Sequence, residues 1–219
     1  FIIKGSLDHN GPKSYSVPII NDIPRFNLIG SKHPQQDTYS YWWNVSHKNF
    51  EYNDEENEAH FKSTIKINDN EYFDKKIIDF GCGNGRFSRI TSKKNPNLLV
   101  LLDLSEGIDK AYSDAKKNSN NVVAIQGNIL EIPIKEDYFD ILYSWGVLHH
   151  TGDTRKAFKI ATTLVKENGL LGIYVYENHP VYKYDNTFLR FISILRQTLI
   201  ITPLRFISQF LSPNNVKKF

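Results

Sequence analysis

The ten residues IIDFGCGNGR, at positions 77–86, place three alternate glycines directly after a short apolar run. Such glycines let the chain turn tightly between a strand and a helix, and they let a ligand approach the main chain without meeting a Cβ atom. The dinucleotide fingerprint G-x-G-x-x-G needs a glycine where Arg86 stands, and no G-K-[ST] follows as in a P-loop. Asp79 would oppose a pyrophosphate and favour a cationic ligand. The stretch therefore predicts a strand, a ligand-binding turn and a helix.

Along residues 76–176, short apolar runs alternate with stretches whose apolar residues recur at helical spacing. The expected strands are 76–80, 98–104, 122–126, 139–144 and 170–176, and the expected helices are 86–92, 105–117 and 154–165. Near-continuous apolar strands separated by helices are typical of an α/β fold with a doubly wound, mainly parallel sheet that is covered on both faces. This fold normally adds two further strands, and none is predicted after residue 176.

The flanking segments have different patterns. Residues 1–35 predict a small strand-and-turn segment, with a strand at 15–20, that is too short to have its own core. We interpret it as the remnant of an N-terminal accessory segment, and 36–219 as one domain with its core at 70–178. The acidic run at 54–58 predicts a solvated face. Residues 180–219 predict two C-terminal amphipathic helices.

Composition excludes several classes of protein. The chain has 219 residues, enough for one large α/β domain, and a net charge of +3, which gives no broad field for nucleic acid. Its one cysteine excludes an internal disulfide, and no apolar stretch is long enough to span a membrane. The cytoplasm, with possible membrane association, is the expected location. A chain without methionine that begins with Phe1 is expected to be a fragment of a longer protein.

Polar side chains follow the second and third predicted strands. Asp103 ends the second strand, where a carboxylate binds ribose hydroxyls in nucleotide-binding sheets of this type. Asn128, after the third strand, offers an amide to an adenine ring, and Ile129 can cover the ring face. With Asp79 at the first strand, these residues describe a ligand with a cationic amino-acid end, a ribose and an adenine. S-adenosylmethionine has these three parts.

A fourth segment, FDILYSWGVLHHT at 139–151, completes a resemblance to the class I S-adenosylmethionine-dependent methyltransferases. The similarity is to the subgroup with a Leu-His-His segment after the fourth strand, which includes the ubiquinone and menaquinone biosynthesis type, and it covers residues 70–178. It implies a Rossmann-like methyltransferase fold with S-adenosyl-L-methionine as cofactor. It also implies that the glycine turn holds the methionine moiety, Asp103 the ribose and Asn128 the adenine. The family more often has Asp at position 128.

The candidate site residues follow from the pattern and the resemblance together. The cofactor-binding candidates are Asp79, Gly81, Cys82, Gly83, Gly85, Asp103, Leu104, Asn128, Ile129 and Ser144. The catalytic candidates are His149 and His150, whose imidazoles could take a proton during methyl transfer. The alternative for each histidine is that it caps or packs against the next helix, and Glu177 is a second candidate base. Cys82 is interpreted as a packing residue.

The expected reaction transfers a methyl group to a small-molecule or lipid-like acceptor. An RNA methyltransferase and a non-catalytic S-adenosylmethionine-binding protein remain alternatives, although Lys and Arg are scattered along the chain. Residues 186–211 combine large apolar side chains with arginines, which indicates peripheral membrane contact, a lid over the site, or packing on a part of the protein outside this sequence. Residues 15–26 resemble the tail of a zinc-ribbon-like segment without its cysteines, so no metal is expected. The sequence gives no oligomeric state.

Overall fold

The computed structural model describes residues 4–9, 15–28, 36–41, 53–176 and 187–196. The strands are β1 Lys4–His9, β2 Tyr15–Ile20, β3 Ile23–Pro24, β4 Lys76–Phe80, β5 Leu98–Asp103, β6 Val122–Gln126, β7 Phe139–Trp145 and β8 Val165–Tyr174. The helices are α1 Gln36–Tyr41, α2 Asp54–Ile65, α3 Ser88–Ser92, α4 Gly107–Lys116, α5 Thr154–Leu164 and α6 Thr187–Arg196. The chain divides into two compact units, 1–175 and 176–219, and each is described by itself.

Five parallel strands form the main sheet in the order β6-β5-β4-β7-β8. The chain runs outward from β4 through β5 to β6, and then returns to the other side of β4 for β7 and β8. This reversal creates a switch point at the carboxyl end of β4, where open α/β sheets bind their ligands. The Rossmann-like, doubly wound parallel sheet expected from the sequence is confirmed.

The main sheet is buried on both faces. Successive side chains of a strand point to opposite faces, so Ile77 and Tyr143 join one apolar cluster, whereas Phe80 and Leu142 join the other. Each of these side chains is almost completely excluded from solvent. Complete burial of one large apolar side chain contributes about 1.5–3 kcal/mol. The two layers together fix the strand ends that carry the polar candidates.

Several element boundaries differ from the sequence-based expectation by one or two residues, and the start of β8 differs by five. The helix α3 begins at Ser88 because the glycine turn extends through Phe87. The strand β8 begins at Val165, five residues before the expected start, and its pairing with β7 contains an irregularity between Phe139 and Ile141. Asn168, with φ of +63°, supplies the left-handed conformation within that irregular part. Polar residues at 166–169 had suggested a loop.

The N-terminal segment packs against the main sheet. The strands β1, β2 and β3 form a small antiparallel sheet, and the predicted strand at 15–20 is confirmed. Val17, Ile19 and Ile23 are buried, and Arg25 makes an isolated parallel bridge with Gln126 at the end of β6. This segment therefore lies beside the edge strand that leads to the predicted adenine turn.

The acidic run at 54–58 begins α2, where Asn53 and Glu56 form a capping box. Glu55 and Glu56 are exposed, as expected of a solvated face, whereas Asp54 and Glu58 are partly exposed and form ion pairs. Asp54 pairs with Arg89 and Lys93, and Glu58 with Lys94, so these acids attach α2 to the basic α3 region. Their pKa values lie below the usual range, chiefly because of hydrogen bonds from those lysines. Partly exposed pairs such as these contribute about 0–1 kcal/mol each.

The helix α6 confirms the first of the two predicted C-terminal helices, and the second lies outside the described residues. Phe188, Phe191, Ile192 and Leu195 of α6 are exposed. None of the helices within the described residues has the length and hydropathy needed to cross a membrane.

Candidate cofactor and acceptor site

The glycine turn follows β4 and leads into α3. The amides of Gly81 and Cys82 both donate to the carbonyl of Leu102, at 2.8 Å and 3.0 Å, so the turn folds over the end of β5. Gly81 has φ of +94°, and a Cβ atom there would lie 2.4 Å from Cγ1 of Val147. Gly85 has φ of +85°, and a Cβ atom would lie 2.6 Å from the Cα of Ala111 in α4. Both positions therefore require glycine for close packing.

Asp103 connects this turn to the second strand. Its Oδ2 accepts the amide of Gly83 at 2.7 Å, and its Oδ1 accepts both the amide and the hydroxyl of Ser105, at 2.8 Å and 2.6 Å. Burial raises the pKa of Asp103, although these hydrogen bonds oppose the shift. The carboxylate oxygens can accept further hydrogen bonds, such as those from ribose hydroxyls. The carboxylate thus has the position and the chemistry that a ribose requires.

Asp79 lies beneath the glycine turn and is 3% exposed. The Ser88 hydroxyl donates to its Oδ2 at 2.5 Å. Tyr143, which pairs with Asp79 across β4 and β7, has its hydroxyl 2.8 Å from Oγ1 of Thr91. Burial raises the pKa of Asp79 to about 7, and the nearby charge of Asp103 adds to the shift. A cation placed beside a buried carboxyl favours its ionised form and lowers its pKa. The amino-acid end of S-adenosylmethionine carries such a cation.

The end of β6 carries the predicted adenine residues. The side chain of Asn128 is half-buried, and its Oδ1 accepts the amide of Leu130 at 3.0 Å, so the side chain also holds its own turn. Ile129 is buried among the apolar residues on the α5 side of the sheet. Gln126 donates from Nε2 to the carbonyl of Leu104 at 3.2 Å, which joins this turn to the residue after Asp103.

The end of β7 carries the remaining candidates. Ser144 is fully buried, and its hydroxyl donates to the carbonyl of Phe80 at 2.6 Å. His149 is half-buried and His150 is exposed, and their ring centroids lie 3.9 Å apart. Partial desolvation lowers the pKa of both imidazoles. The positive charge of a protonated His149 lowers the pKa of His150 further. Both rings are therefore neutral near pH 7 and have a nitrogen that can accept a proton.

The helix α1 contributes residues that the sequence pattern did not single out. The Tyr39 hydroxyl donates to the carbonyl of His150 at 3.0 Å, and the Ser40 hydroxyl accepts the amide of Glu106 at 3.1 Å. One short helix thus contacts both the β7 end and the residues after β5. Burial raises the pKa of Tyr39, as does the negative charge of Asp103, so its phenol stays protonated. No local signal marked these contacts, because the paired residues are far apart in the chain.

Aromatic side chains form a wall on the α2 side of the β7 end. Trp145 stacks on Tyr174, with centroids 5.0 Å apart, and meets the ring of His60 edge-on. The guanidinium of Arg86 lies 5.3 Å from the Trp145 centroid and donates from Nε to Asn57. Burial lowers the pKa of His60, with a further contribution from Arg86. Trp145 is therefore partly buried and packs against the apolar core at its edge.

The remaining expectations concern Cys82, Glu177 and metal binding. Cys82 is buried and burial raises its pKa well above the usual range, so it is a thiol, which agrees with a packing role. Glu177 lies outside the described residues. Within the residues that the structure describes, no group of three His, Cys, Asp or Glu side chains could hold a metal ion.

Comparison with known proteins agrees with this geometry. Residues 78–173 match the family model of a methyltransferase domain. The chain is 25% identical over 114 residues to a sterol 24-C-methyltransferase of Aspergillus fumigatus, covering 51% of the chain and 30% of that protein. It is 30% identical over 103 residues to a ubiquinone/menaquinone biosynthesis C-methyltransferase of Vibrio vulnificus, covering 44% and 39%. It is 29% identical over 110 residues to protein arginine N-methyltransferase 1 of Schizosaccharomyces pombe, covering 49% and 32%.

Over residues 78–173 the chain is therefore similar to methyltransferase domains, and its sheet order is that of the Rossmann-like methyltransferase fold, whose cofactor is S-adenosylmethionine. The chain spans less than half the length of each of these curated relatives. Their names cover a sterol, a quinone and a protein side chain. The matches therefore agree on a methyltransferase domain and differ in the molecule that accepts the methyl group.

Proposed function

We propose that the protein transfers a methyl group from S-adenosylmethionine to a small-molecule or lipid-like acceptor. The observation that carries the proposal is the buried Asp103 carboxylate, which is hydrogen-bonded to the glycine turn at the switch point of the sheet. Bound S-adenosylmethionine would supply an already activated methyl group on its sulfonium. The task of the chain is then to orient both partners and to exclude water.

Each candidate has a place in this proposal. The glycine turn and Asp79 hold the amino-acid end, Asp103 holds the ribose, and the turn at Asn128 holds the adenine. The acceptor approaches the methyl group from the β7 end. Residues at this end would hold the acceptor atom in line with the bound methyl group, whose transfer would leave the electron pair of the sulfur–methyl bond on sulfur. An imidazole of His149 or His150 accepts the proton that the acceptor loses.

The chemistry of the β7 end favours an uncharged acceptor. Residues 144–152 contain no carboxylate, and both of their imidazoles are neutral near pH 7. A guanidinium acceptor would find no negative partner among these residues, and the guanidinium of Arg86, 5.3 Å from the Trp145 centroid, would repel it. This argument supports a small apolar molecule of the kind that the sterol and quinone relatives are named for, in preference to a protein side chain.

The test is release of S-adenosylhomocysteine in a panel of acceptors. The full-length protein is incubated with S-adenosylmethionine and with quinone precursors, sterols, a short RNA or an arginine-rich peptide. Release that depends on a quinone precursor or a sterol would support the proposal. Release only with RNA or with the peptide would overturn the acceptor class, and binding without release on any acceptor would favour the non-catalytic alternative.

A lipid-like acceptor would also fit the exposed apolar side chains of α6. Amphipathic helices with such side chains bind at membrane surfaces. Membrane contact through 186–211 is thus part of the proposal, and co-sedimentation of the full-length protein with anionic liposomes tests it. Retention of the protein in the supernatant would count against this part alone.

A further inference from the structure

Arg25, in the N-terminal segment, is an almost completely buried arginine outside the methyltransferase domain. It is 5% exposed. Its Nη1 donates to Oδ2 of Asp109 and to Oε1 of Gln126, both at 2.9 Å, and its Nη2 donates to Oδ1 of Asp109 at 2.6 Å. A third acceptor, the carbonyl of Ile20, lies 3.1 Å from Nη2. Burial of so large a cation is costly unless its donors are satisfied, and these contacts satisfy most of them.

Gln126 connects Arg25 to the predicted adenine site through two hydrogen bonds. Its side-chain oxygen accepts from Arg25, and its side-chain nitrogen donates to the carbonyl of Leu104 at 3.2 Å. Because the oxygen is engaged by a guanidinium, the amide has only one orientation in which both contacts form. Arg25 therefore determines which end of the Gln126 amide faces Leu104.

Two further contacts connect the same segment to the Asn128 turn. The main chain of Arg25 forms its bridge with Gln126, and the next residue, Phe26, lies against Gly127. A Cβ atom at Gly127 would lie 3.1 Å from the Cβ of Phe26. The amide of Gly127 also donates to the carbonyl of Asp103 at 2.8 Å. The loops after β5 and after β6 are thus joined to each other and to Arg25.

We propose that Arg25 is a positioning residue for the adenine end of the cofactor, acting through Gln126 on the loops at Leu104 and Asn128. This inference rests on the proposed function, since it presumes that these loops bind S-adenosylmethionine. Arg25 does not touch the cofactor. It holds the two loops at a fixed separation before the ligand binds. The groups that contact the adenine then need no ordering on binding, and the free-energy cost of such ordering would otherwise reduce affinity.

The first measurement compares dissociation constants for S-adenosylhomocysteine, obtained by isothermal titration of the full-length protein. Arg25→Met should weaken binding about tenfold, which corresponds to about 1.4 kcal/mol. The control is Arg89→Met, which removes a partly exposed arginine that also pairs with an aspartate, Asp54 of α2, rather than with Gln126. The control should bind as the wild type does. Unchanged affinity in Arg25→Met would overturn the inference.

A second ligand separates positioning from general support of the fold. S-inosylhomocysteine differs from S-adenosylhomocysteine only in the purine, which carries an oxygen in place of the amino group. The wild type should prefer the adenine ligand, and Arg25→Met should reduce that preference. A loss of affinity that is equal for the two ligands would overturn the positioning role.

Gln126→Glu provides the variant that keeps Arg25 paired. The new carboxylate still accepts from the guanidinium, but it cannot donate to the carbonyl of Leu104. The variant should therefore reproduce the loss of purine preference while the small antiparallel sheet of β1, β2 and β3 stays folded. Wild-type preference in Gln126→Glu would overturn the inference even if Arg25→Met does not fold. A wild-type protein that binds neither ligand would instead overturn the proposed function itself.

Discussion

The amide of Gly83 donates to Oδ2 of Asp103 at 2.7 Å, which ties the turn after β4 to the last residue of β5. The glycine turn and the acid were identified by separate features of the sequence, and this hydrogen bond makes them one structure. The donor and the acceptor are both buried, so the bond is protected from competition with water. The methionine and ribose ends of the predicted cofactor site are therefore held in a fixed relation by the chain alone.

Asp103→Asn tests this relation. The new amide group presents two N–H donors to a position that is already surrounded by donors from Gly83 and Ser105. Hydrogen bonds to a charged group contribute about 1.5–3 kcal/mol, so affinity for S-adenosylhomocysteine should fall at least about tenfold. Isothermal titration measures the change. Asp114→Asn, at a surface aspartate paired with Lys110 and Lys117, is the matched control and should leave affinity unchanged.

Asp79→Asn should alter how stability depends on pH. In the folded protein the pKa of Asp79 is raised to about 7, whereas in the unfolded chain it is about 3.9. The folded state therefore binds the proton more tightly, and the stability associated with this group is present below pH 4 and is lost as pH rises through 7. The loss is up to about 1.4 kcal/mol per pH unit between the two values.

Urea unfolding of the ligand-free protein at pH 5 and at pH 8 measures this effect. The asparagine variant should gain stability relative to the wild type at pH 8, and this advantage should be smaller at pH 5. An advantage of the same size at both values would mean that Asp79 does not titrate between them.

His149→Gln and His150→Gln separate proton transfer from binding. If one imidazole accepts the acceptor's proton, its loss should lower kcat about 100-fold or more, and affinity for S-adenosylhomocysteine should not change. The pKa of each histidine is lowered by burial, so the acid limb of the kcat profile should lie below the ordinary histidine value of about 6.5. A profile that is flat through this range would exclude both residues as the base.

Gly85→Ala and Gly152→Ala compare two glycines with similar backbone conformations. Gly85 has φ of +85° and Gly152 has φ of +81°, but only at Gly85 does an added Cβ atom meet a neighbour, the backbone of Ala111. The left-handed conformation alone costs about 1–2 kcal/mol, and overpacking adds about 1–3 kcal/mol. Urea unfolding should therefore show a clearly larger loss for Gly85→Ala. Equal losses would mean that the turn and α4 separate easily.

Local pattern was enough to predict the parallel sheet. The strands at Ile77, Leu101 and Leu142 are continuous apolar runs, and an apolar run between two helices has few other ways to be buried. The start of β8 was missed because Lys166 and Glu167 have the polarity of a loop. Val165 nevertheless pairs with Phe139 of β7, and the register shifts before Leu170 pairs with Ile141.

Contacts over long sequence separations could not be predicted in the same way. Tyr39 and His150 are 111 residues apart, and Arg25 and Gln126 are 101 residues apart. No local periodicity brings such pairs together. Ser144 shows the reverse case: its place at a strand end resembles that of a site residue, but its hydroxyl turns inward to Phe80. Its role in cofactor binding therefore stays a prediction.

Titration of S-adenosylmethionine into the full-length protein tests the central claim most directly. Wild-type protein should bind one equivalent, and Asp103→Asn should bind at least about tenfold more weakly, since both the ribose contact and the link to Gly83 are affected. Absence of binding by a folded wild-type protein, or equal binding by the two proteins, would contradict the assignment of this crevice as the cofactor site.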